Sequence, residues 1–193
     1  GGSTSYDYPQ KEWGGWPGPG TAVPQPDGTL SGTAKIATFS TPPLDQDLEL
    51  IGPIALQLWA SSDQPDTEFL VKIADQAPAG ERGSPPGGVS KGWLRASHRA
   101  IDPSRSKPER PWHPHNRLEP LTPGQVYDFQ IEVWPTSWVF RTGHRLRLEI
   151  APCDSPFLDA PFGHDWGVKM GTDTVYHNRA QPSHLLLPVY SRS

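Results

Sequence analysis

Residues 88–92 read Gly-Val-Ser-Lys-Gly, which fits the G-x-S-x-G pattern that marks the nucleophile of many serine hydrolases. In those enzymes the serine lies on a strained turn, with a strand before it and a helix after it. Here a stretch rich in glycine and proline precedes Ser90, and an alternating segment that predicts a strand follows it. We therefore expect Ser90 to lie in a turn that enters a strand, and we expect no catalytic residue in this chain.

His113 and His115 stand two residues apart in Trp-His-Pro-His. On an extended chain, side chains at that spacing point the same way, as paired metal ligands can. A third ligand would have to come from a distant position, with His98, His164 or His177 as candidates, and no HExxH motif is present. Solvated or packing histidines in a proline-rich loop are the favoured interpretation, so we expect no metal ion and no cofactor.

Three carboxylates, Asp63, Asp66 and Glu68, lie close together in Ser-Ser-Asp-Gln-Pro-Asp-Thr-Glu-Phe and raise the possibility of a calcium site. The spacing of a D-x-D-x-D-G calcium loop is absent. A polar turn that leads into a strand, with Asp66 or Thr67 bonded to the backbone, is the favoured interpretation.

The chain has 8 tryptophans, which suggests either sugar platforms or surfaces that dock on another domain. Trp13, Trp16 and Trp112 fall in predicted loops and could serve in either way. Three others, Trp59, Trp134 and Trp138, are expected to close the core or the ends of a sandwich.

The elements that must position these residues are strands. Apolar and polar residues alternate in segments 48–62, 67–76, 126–134 and 145–152, and Gly52-Pro53 predicts a bulge or bend in the first of them. No segment keeps a helical period beyond two turns. The pattern predicts an all-β domain of two packed sheets, a jelly-roll β-sandwich with long loops rich in proline and glycine.

The segment Trp-Leu-Arg-Ala-Ser-His-Arg also alternates, so we expect one continuous strand there. Leu94 and His98 would share its core face, and His98 would be a hydrogen-bonded core histidine. Arg95 and Arg99 would lie on the opposite face and pair with carboxylates of a neighbouring strand or domain. His144, in a predicted tight turn, is expected to bond to the backbone.

Composition narrows the function classes further. The 193 residues suffice for one domain, and we divide them into an extended arm or linker at 1–32 and a single sandwich at 33–193. A net charge of −4 gives no general attraction to nucleic acid, and no apolar run reaches membrane-spanning length. The single cysteine, Cys153, cannot form a disulfide within the chain, which slightly favours a cytoplasmic location.

A specific resemblance to a known family is carried by LRASHR at 94–99, PLTPGQVYDFQIEVWPTSWVFRTGHRLRLEI at 120–150 and PSHLLLPV at 182–189. With the opening sheet at 48–76, these motifs resemble the C-terminal, non-catalytic domain of X-Pro dipeptidyl-peptidases and cocaine-esterase-like hydrolases. The resemblance runs from about Thr38 to Tyr190.

That resemblance implies a jelly roll with galactose-binding-like topology that packs on an α/β-hydrolase domain. In the family the Ser-Asp-His triad lies upstream, and no residue of this chain corresponds to a triad member. In the family Ser90 falls in the loop that enters the strand at 92–99. The segment that enters the jelly roll can add apolar side chains to the substrate cleft, and here that segment would hold Trp13 and Trp16.

We therefore expect an accessory domain of a serine esterase or X-Pro dipeptidyl-peptidase that stabilises its parent and helps to shape the substrate cleft. Its partner would be the catalytic α/β-hydrolase domain, and contacts between copies of the chain are a further option. A free-standing carbohydrate-binding module is the alternative, and a small esterase that uses Ser90 comes third. The residues expected at the cleft or the docking surface are Trp13, Trp16, Trp112, His113 and His115.

Overall fold

The computed structural model describes residues 2–8, 23–24, 30–31, 37–83, 88–152 and 171–191. Within these ranges the regular elements are strands, apart from one 3-10 turn at Ala96–His98, so the all-β prediction is confirmed. None of the described segments is a helix long and apolar enough to span a lipid bilayer. The strands are β1 (Ser3–Tyr8), β2 (Val23–Pro24), β3 (Leu30–Ser31), β4 (Ala37–Ser40), β5 (Leu48–Ser62), β6 (Glu68–Gln76), β7 (Ser90–Arg95), β8 (Tyr127–Phe140), β9 (Arg145–Ala151), β10 (Gly171–Tyr176) and β11 (His184–Leu186).

Nine of these strands form one continuous antiparallel sheet that folds over on itself. Its order is β1-β10-β5-β8-β7-β6-β9-β4, with β11 also paired to β5, and β2 and β3 form a separate pair. The rings of Phe69 on β6 and Phe129 on β8 approach to 4.9 Å between centroids, which brings the two halves of the sheet face to face. The predicted β-sandwich is confirmed.

The two halves of the sheet are joined at a narrow point. Strands β7 and β8 share one residue pair, Gly92 with Val133, whereas β5 and β8 pair along most of their length. A Cβ atom on Gly92 would overlap the backbone carbonyl oxygen of Glu132. Glycine is therefore required for this close approach, which gives the second glycine of the Gly-Val-Ser-Lys-Gly segment a structural role.

The core follows the alternation seen in the sequence. On β8 the inward positions Phe129, Ile131 and Val133 are fully buried, and the residues between them face outward. The predicted irregularity of β5 is also confirmed, because the β5–β8 register shifts between Gly52 and Ile54. The core is completed by inward residues of the other strands, among them Leu50, Leu56, Leu58, Val71, Ile73, Leu94, Leu146, Ile150 and Val175.

Strand β6 departs from the simple pattern because both of its faces are buried. Lys72 lies on the face opposite the core, where its Nζ is 2.6 Å from a carboxylate oxygen of Glu149, and neither side chain is exposed to solvent. Burial lowers the pKa of Lys72 to about 8, while the hydrogen bond and charge of Glu149 oppose the shift. A buried ion pair therefore stands where alternation alone predicts a solvent-facing lysine.

The described part of the N-terminal region is integrated into the sheet. Strand β1 pairs with β10 along its whole length, with Tyr6 opposite Asp173. Both residues are buried, and Thr67 of the loop before β6 donates a 2.8 Å hydrogen bond from Oγ1 to Asp173. Burial raises the pKa of Asp173 to about 7, against hydrogen bonds from Ser62, Thr67 and Tyr6 that lower it.

Candidate functional site

Ser90 is the first residue of β7. The prediction that it lies at the entry to a strand is confirmed. It is buried, and its hydroxyl donates a 2.5 Å hydrogen bond to the backbone carbonyl of Trp134 on β8. A hydroxyl that is buried and donates to a backbone carbonyl serves to join two strands. Ser90 thus ties β7 to β8 close to the Gly92 contact.

An exposed aromatic pair lies just outside this junction. Trp93 on β7 and Trp134 on β8 are 42% and 59% exposed, and their rings meet edge to face with centroids 5.1 Å apart. Trp134 therefore does not close the core, which was one of the two roles predicted for it. The correct orientation follows from the parity of β8, where position 134 shares the outward face with Glu132, opposite Val133.

The two other tryptophans assigned to the core edge are half-buried, in closer agreement with the prediction. Trp138 donates a hydrogen bond from Nε1 to Asp75, at 3.1 Å. The other carboxylate oxygen of Asp75 lies 2.8 Å from Nδ1 of His144, and Nε2 of that ring faces Glu81 at 3.4 Å. His144 therefore bonds through its side chain to carboxylates, whereas we expected it to bond to the backbone.

His144 is nearly buried between these two acidic groups. Burial disfavours the charged ring, but the hydrogen bond and charge of Asp75, and then those of Glu81, outweigh it and raise the pKa of His144. The arrangement fixes the loop after β6 to the turn before β9. Within the described residues no nucleophilic side chain is bonded to this ring, so it has the contacts of a structural histidine.

The long loop between β7 and β8 is fixed to the outward face of β8. His113 lies between two backbone carbonyls, with Nδ1 3.0 Å from the oxygen of Ala100 and Nε2 2.8 Å from that of Gln130. Carbonyls only accept, so both contacts are hydrogen bonds only when the ring carries two N–H groups. Arg110 of the same loop lies 3.4 Å from Glu132. We call the surface formed by residues 105–115 of this loop, Trp93 and the outward residues of β8 the β8 outer face.

Trp112 stands on the loop at this face and is 38% exposed. The guanidinium of Arg105 lies over its indole ring, 3.8 Å from the centroid, in a cation–π contact. Both residues line a cleft of about 530 Å³ together with Arg110 and Lys107. One face of the Trp112 ring is therefore covered by a cation and is not open as a sugar platform.

His98 and His115 meet at the far end of the loop, where their Nδ1 atoms are 3.2 Å apart. Burial lowers the pKa of His115, and the charges of His98 and His113 lower it further. Both nitrogens of His113 face backbone carbonyl oxygens, so neither points to an open position where a metal ion could bind. His177 lies elsewhere, with Nε2 3.1 Å from the hydroxyl of Thr4. His164, like Trp13, Trp16 and Cys153, lies outside the described residues.

The carboxylates considered for calcium have protein partners. Asp66 accepts hydrogen bonds from the backbone N–H groups of Thr67 and Ser97, from the Ser97 hydroxyl and from Arg95. The favoured interpretation, a polar turn bonded to backbone, describes Asp66 correctly. Across the described ranges no group of three or more histidine, cysteine, aspartate or glutamate side chains is placed to hold a metal ion.

The predicted continuous strand at 93–99 is wrong in its second half. Strand β7 ends at Arg95, and the 3-10 turn that follows removes His98 from the core face. Asp66 causes this break, because it binds the N–H and hydroxyl of Ser97 and the side chain of Arg95 at once. Both arginines pair with carboxylates, at 2.7 Å for Arg95 with Asp66 and 3.7 Å for Arg99 with Glu119. These carboxylates lie in loops, and not on a neighbouring strand or domain as predicted.

Comparisons with known proteins show that other proteins share this fold, and they identify the family of the chain. Residues 17–186 match the family of X-Pro dipeptidyl-peptidase C-terminal non-catalytic domains. A Mycobacterium bovis protein assigned as a serine esterase is 31% identical over 161 residues, which cover 81% of this chain and 24% of that protein. The cocaine esterase of a Rhodococcus species is 24% identical over 166 residues, covering 81% of this chain and 26% of the esterase.

Solved structures share the fold at lower identity. A CocE/NonD family hydrolase from Staphylococcus aureus superposes with a TM-score of 0.73 at 23% identity, covering 98% of this chain and 32% of the hydrolase. An α-amino acid ester hydrolase gives 0.68 at 22% identity, with 98% and 33% covered. The chain thus spans about a quarter of the length of the curated relatives it matches. It belongs to the family of X-Pro dipeptidyl-peptidase C-terminal non-catalytic domains.

Proposed function

We propose that this chain is the accessory β-sandwich domain of a serine hydrolase, an esterase or an X-Pro dipeptidyl-peptidase, and that it docks on the catalytic α/β-hydrolase domain through the β8 outer face. The observation that carries the proposal is the exposed pair of Trp93 and Trp134. It occurs in a domain whose curated relatives are about four times as long as the segment they share with it.

Two adjacent tryptophans that expose about half of their surface are typical of an interface. Indole rings bury a large apolar area with little loss of side-chain entropy, and tryptophan is enriched among the residues that dominate binding energy. The backbone beneath the pair is held by the Ser90 bond and the Gly92 contact. The rings therefore stand on a rigid part of the sheet and are preorganised for docking.

The loop continues this surface. Arg110 and Glu132 join it to the strand that carries Trp134, and Trp112 with Arg105 and Lys107 lines the adjacent cleft. In the proposed interface the tryptophan pair forms the apolar centre, and the charged groups form the polar rim. Trp112 and His115 would contact the partner, while His113 would position the loop on the sheet. We also propose that Trp13 and Trp16 contribute apolar side chains to the substrate cleft.

A carbohydrate-binding module fits these contacts less well. Sugars stack on open aromatic faces, but Arg105 covers one face of Trp112, and the Trp93–Trp134 pair meets edge to face instead of forming a flat platform. Glycan binding that is lost on Trp112→Ala would favour the module over the docking domain.

The docking proposal is tested in the natural polypeptide that carries this domain. We expect Trp134→Ala, alone and with Trp93→Ala, to weaken the coupling between the domains by about 2 kcal/mol, because a buried tryptophan would be lost from the interface centre. Differential scanning calorimetry should then show the sandwich and the catalytic domain unfolding in separate transitions, together with a lower kcat/KM.

Leu118→Ala is the matched control, because Leu118 is 60% exposed on another part of the same loop. It should leave both the calorimetric profile and kcat/KM unchanged. A Trp134→Ala protein that unfolds and reacts like the wild type would exclude this face as the docking surface. The isolated chain should keep its stability in all three variants, which separates loss of docking from misfolding.

A further inference from the structure

The nearly buried ring of His144 lies between two carboxylates that belong to different parts of the chain. Asp75 is a residue of β6, and its carboxylate lies 2.8 Å from Nδ1 of the ring. Glu81 is a residue of the loop after β6, and its carboxylate lies 3.4 Å from Nε2. The side chain of Asp75 is 3% exposed, whereas that of Glu81 is 62% exposed. Glu81 can therefore move away from the ring into solvent, and Asp75 cannot.

The two contacts of the ring differ in the protons that they require. An ionised carboxylate only accepts hydrogen bonds, so Nδ1 donates to Asp75 in both the neutral and the charged ring. Trp138 donates to the other oxygen of Asp75, which holds this carboxylate in place. In the neutral ring Nε2 is then an acceptor that faces another acceptor, the carboxylate of Glu81. Only the charged ring can donate to both acids at once.

Glu81 lies in a short turn, residues 77–82, whose two ends are fixed independently of His144. The turn follows the last residue of β6, and at its other end Gly83 approaches Asp75 so closely that a Cβ atom would overlap the backbone carbonyl oxygen there. Within the turn the N–H of Glu81 donates to the carbonyl of Pro78. Among the described residues, the contact of Glu81 with His144 is the side-chain bond that joins this turn to the rest of the domain.

The charged side chains that neighbour His144 in the chain have other partners. Arg141 pairs with Asp47 at 2.9 Å. Arg145 donates to the backbone carbonyl of Thr41 at 2.8 Å. Neither guanidinium is therefore directed at the imidazole ring.

Asp75 and Glu81 are the described groups whose charges act on the ring. The other elements that pack here, β8 and the loop between β4 and β5, present the neutral indole of Trp138 and the backbone N–H of Leu44. Burial disfavours the charged ring, but the hydrogen bonds and charges of Asp75 and then of Glu81 outweigh it and raise the pKa of His144. The direction of this shift agrees with a charged ring that is bonded to both acids.

We propose that His144 is a pH-dependent switch for the turn at 77–82, in which the charged ring holds Glu81 and the neutral ring releases it. Because the attached turn favours the charged ring, the turn is held below the pKa of His144 and is released as the pH rises through it. The switch does not depend on the docking proposed above, since neither His144 nor Glu81 belongs to the β8 outer face.

Carbon-13 relaxation of the Ala79 methyl group in the full chain measures the mobility of the turn. The Cα–Cβ axis of an alanine moves with its backbone and carries no exchangeable hydrogen, so this probe serves at every pH. We expect the order parameter of the axis to fall from about 0.85 at about pH 5.5 to below about 0.6 at about pH 8.5. The buried Ala74 of β6 should stay ordered at both pH values. An Ala79 order parameter that is equal at both, whether high or low, would overturn the proposal.

Glu81→Gln tests the assignment to this acid, and the exposed position of the side chain lets the variant fold. An amide can donate to the neutral ring and accept from the charged one, so the Ala79 order parameter should no longer depend on pH. The pKa of His144, followed by the carbon-13 shift of its ring, should fall because the charge of Glu81 is lost.

Glu109→Gln is the matched control, because it removes a carboxylate from the loop between β7 and β8. It should keep both the pH dependence of Ala79 and the pKa of His144 at their wild-type values. A pH-dependent loss of order at Ala79 that persists in Glu81→Gln would assign the release to another titrating group and contradict the proposal.

Discussion

Asp173 shows how a single buried residue sets a property of the protein. It lies opposite Tyr6 in the β1–β10 ladder, is closed off from solvent, and accepts a hydrogen bond from Thr67. Burial raises its pKa to about 7 from an ordinary value of 3.8. Between these pH values the folded chain holds a proton that the unfolded chain releases, so stability falls as the pH rises.

Asp173→Asn is expected to remove most of this pH dependence, because asparagine stays neutral and its amide oxygen can still accept from Thr67. In the wild type, ionisation of the Asp173 carboxyl alone lowers the free energy of unfolding by up to about 4 kcal/mol as the pH rises from 4 to 8. Urea unfolding of both proteins at these two pH values measures the difference.

Asp45→Asn, which changes an exposed carboxylate in the loop between β4 and β5, is the control and should keep the wild-type pH dependence. If Asp173→Asn lost as much stability as the wild type between the two pH values, Asp173 would not be the group responsible.

The sequence predicted several side-chain roles from local chemistry. Asp66 sits in a turn next to its own backbone donors, and Ser90 follows a stretch that excludes a strand, so both roles could be inferred. The partners of Lys72 and Asp173 could not be inferred. Glu149 and Thr67 are more than 70 and 100 residues away from them in the chain, and only the pairing of distant strands brings them into contact.

At the scale of elements, the junction of β7 and β8 depends on Gly92. The pair with Val133 is the one described contact in the ladder that joins the two halves of the sheet, and the carbonyl of Glu132 occupies the space that a side chain would need. Any larger residue must push the strands apart at this point. The Ser90 bond to Trp134 would be strained by the same displacement.

Gly92→Ala should therefore lower the free energy of unfolding by about 3 kcal/mol, since an added methyl group meets rigid backbone instead of a flexible side chain. Chemical denaturation monitored by tryptophan fluorescence measures the loss.

Gly124→Ala separates this packing effect from backbone strain. Gly124 has a φ of +78° but nothing within 4 Å of an added Cβ, so its replacement should cost only about 1 kcal/mol. Equal losses in the two variants would show that close packing at Gly92 is not the dominant effect.

Sequence patterns located the strands well and their ends less well. Alternation placed β5, β6, β8 and β9, because a strand with one buried face imposes a period of two. The same alternation continued beyond Arg95, yet the strand stops there because Asp66 draws Ser97 into a 3-10 turn. The end of β7 is therefore set by Asp66, a side chain outside the strand. The alternation of residues within the strand cannot predict such a contact.

For the whole molecule, the proposed role as a non-catalytic domain makes a direct prediction. The isolated chain should not react with a fluorophosphonate probe, because its Ser90 hydroxyl is buried and donates to a backbone carbonyl. The natural polypeptide, with its proposed catalytic domain, should be labelled. Gel fluorescence after incubation with the probe distinguishes the two.

Labelling of the isolated chain that disappears in Ser90→Ala would contradict the proposed function and favour a small esterase. The same variant in the natural polypeptide should keep its labelling, since the proposed nucleophile lies in the other domain.

The order of residue types along the chain was enough to predict the all-β class, the positions of the main strands, the bend at Gly52 and the family, because each of these depends on local sequence. Tertiary structure decided which outward-facing groups meet. It brought Trp93 to Trp134 and placed the loop of Trp112 and His113 on β8. These contacts join residues from different strands, so they depend on how the sheet folds over on itself, which no single segment encodes.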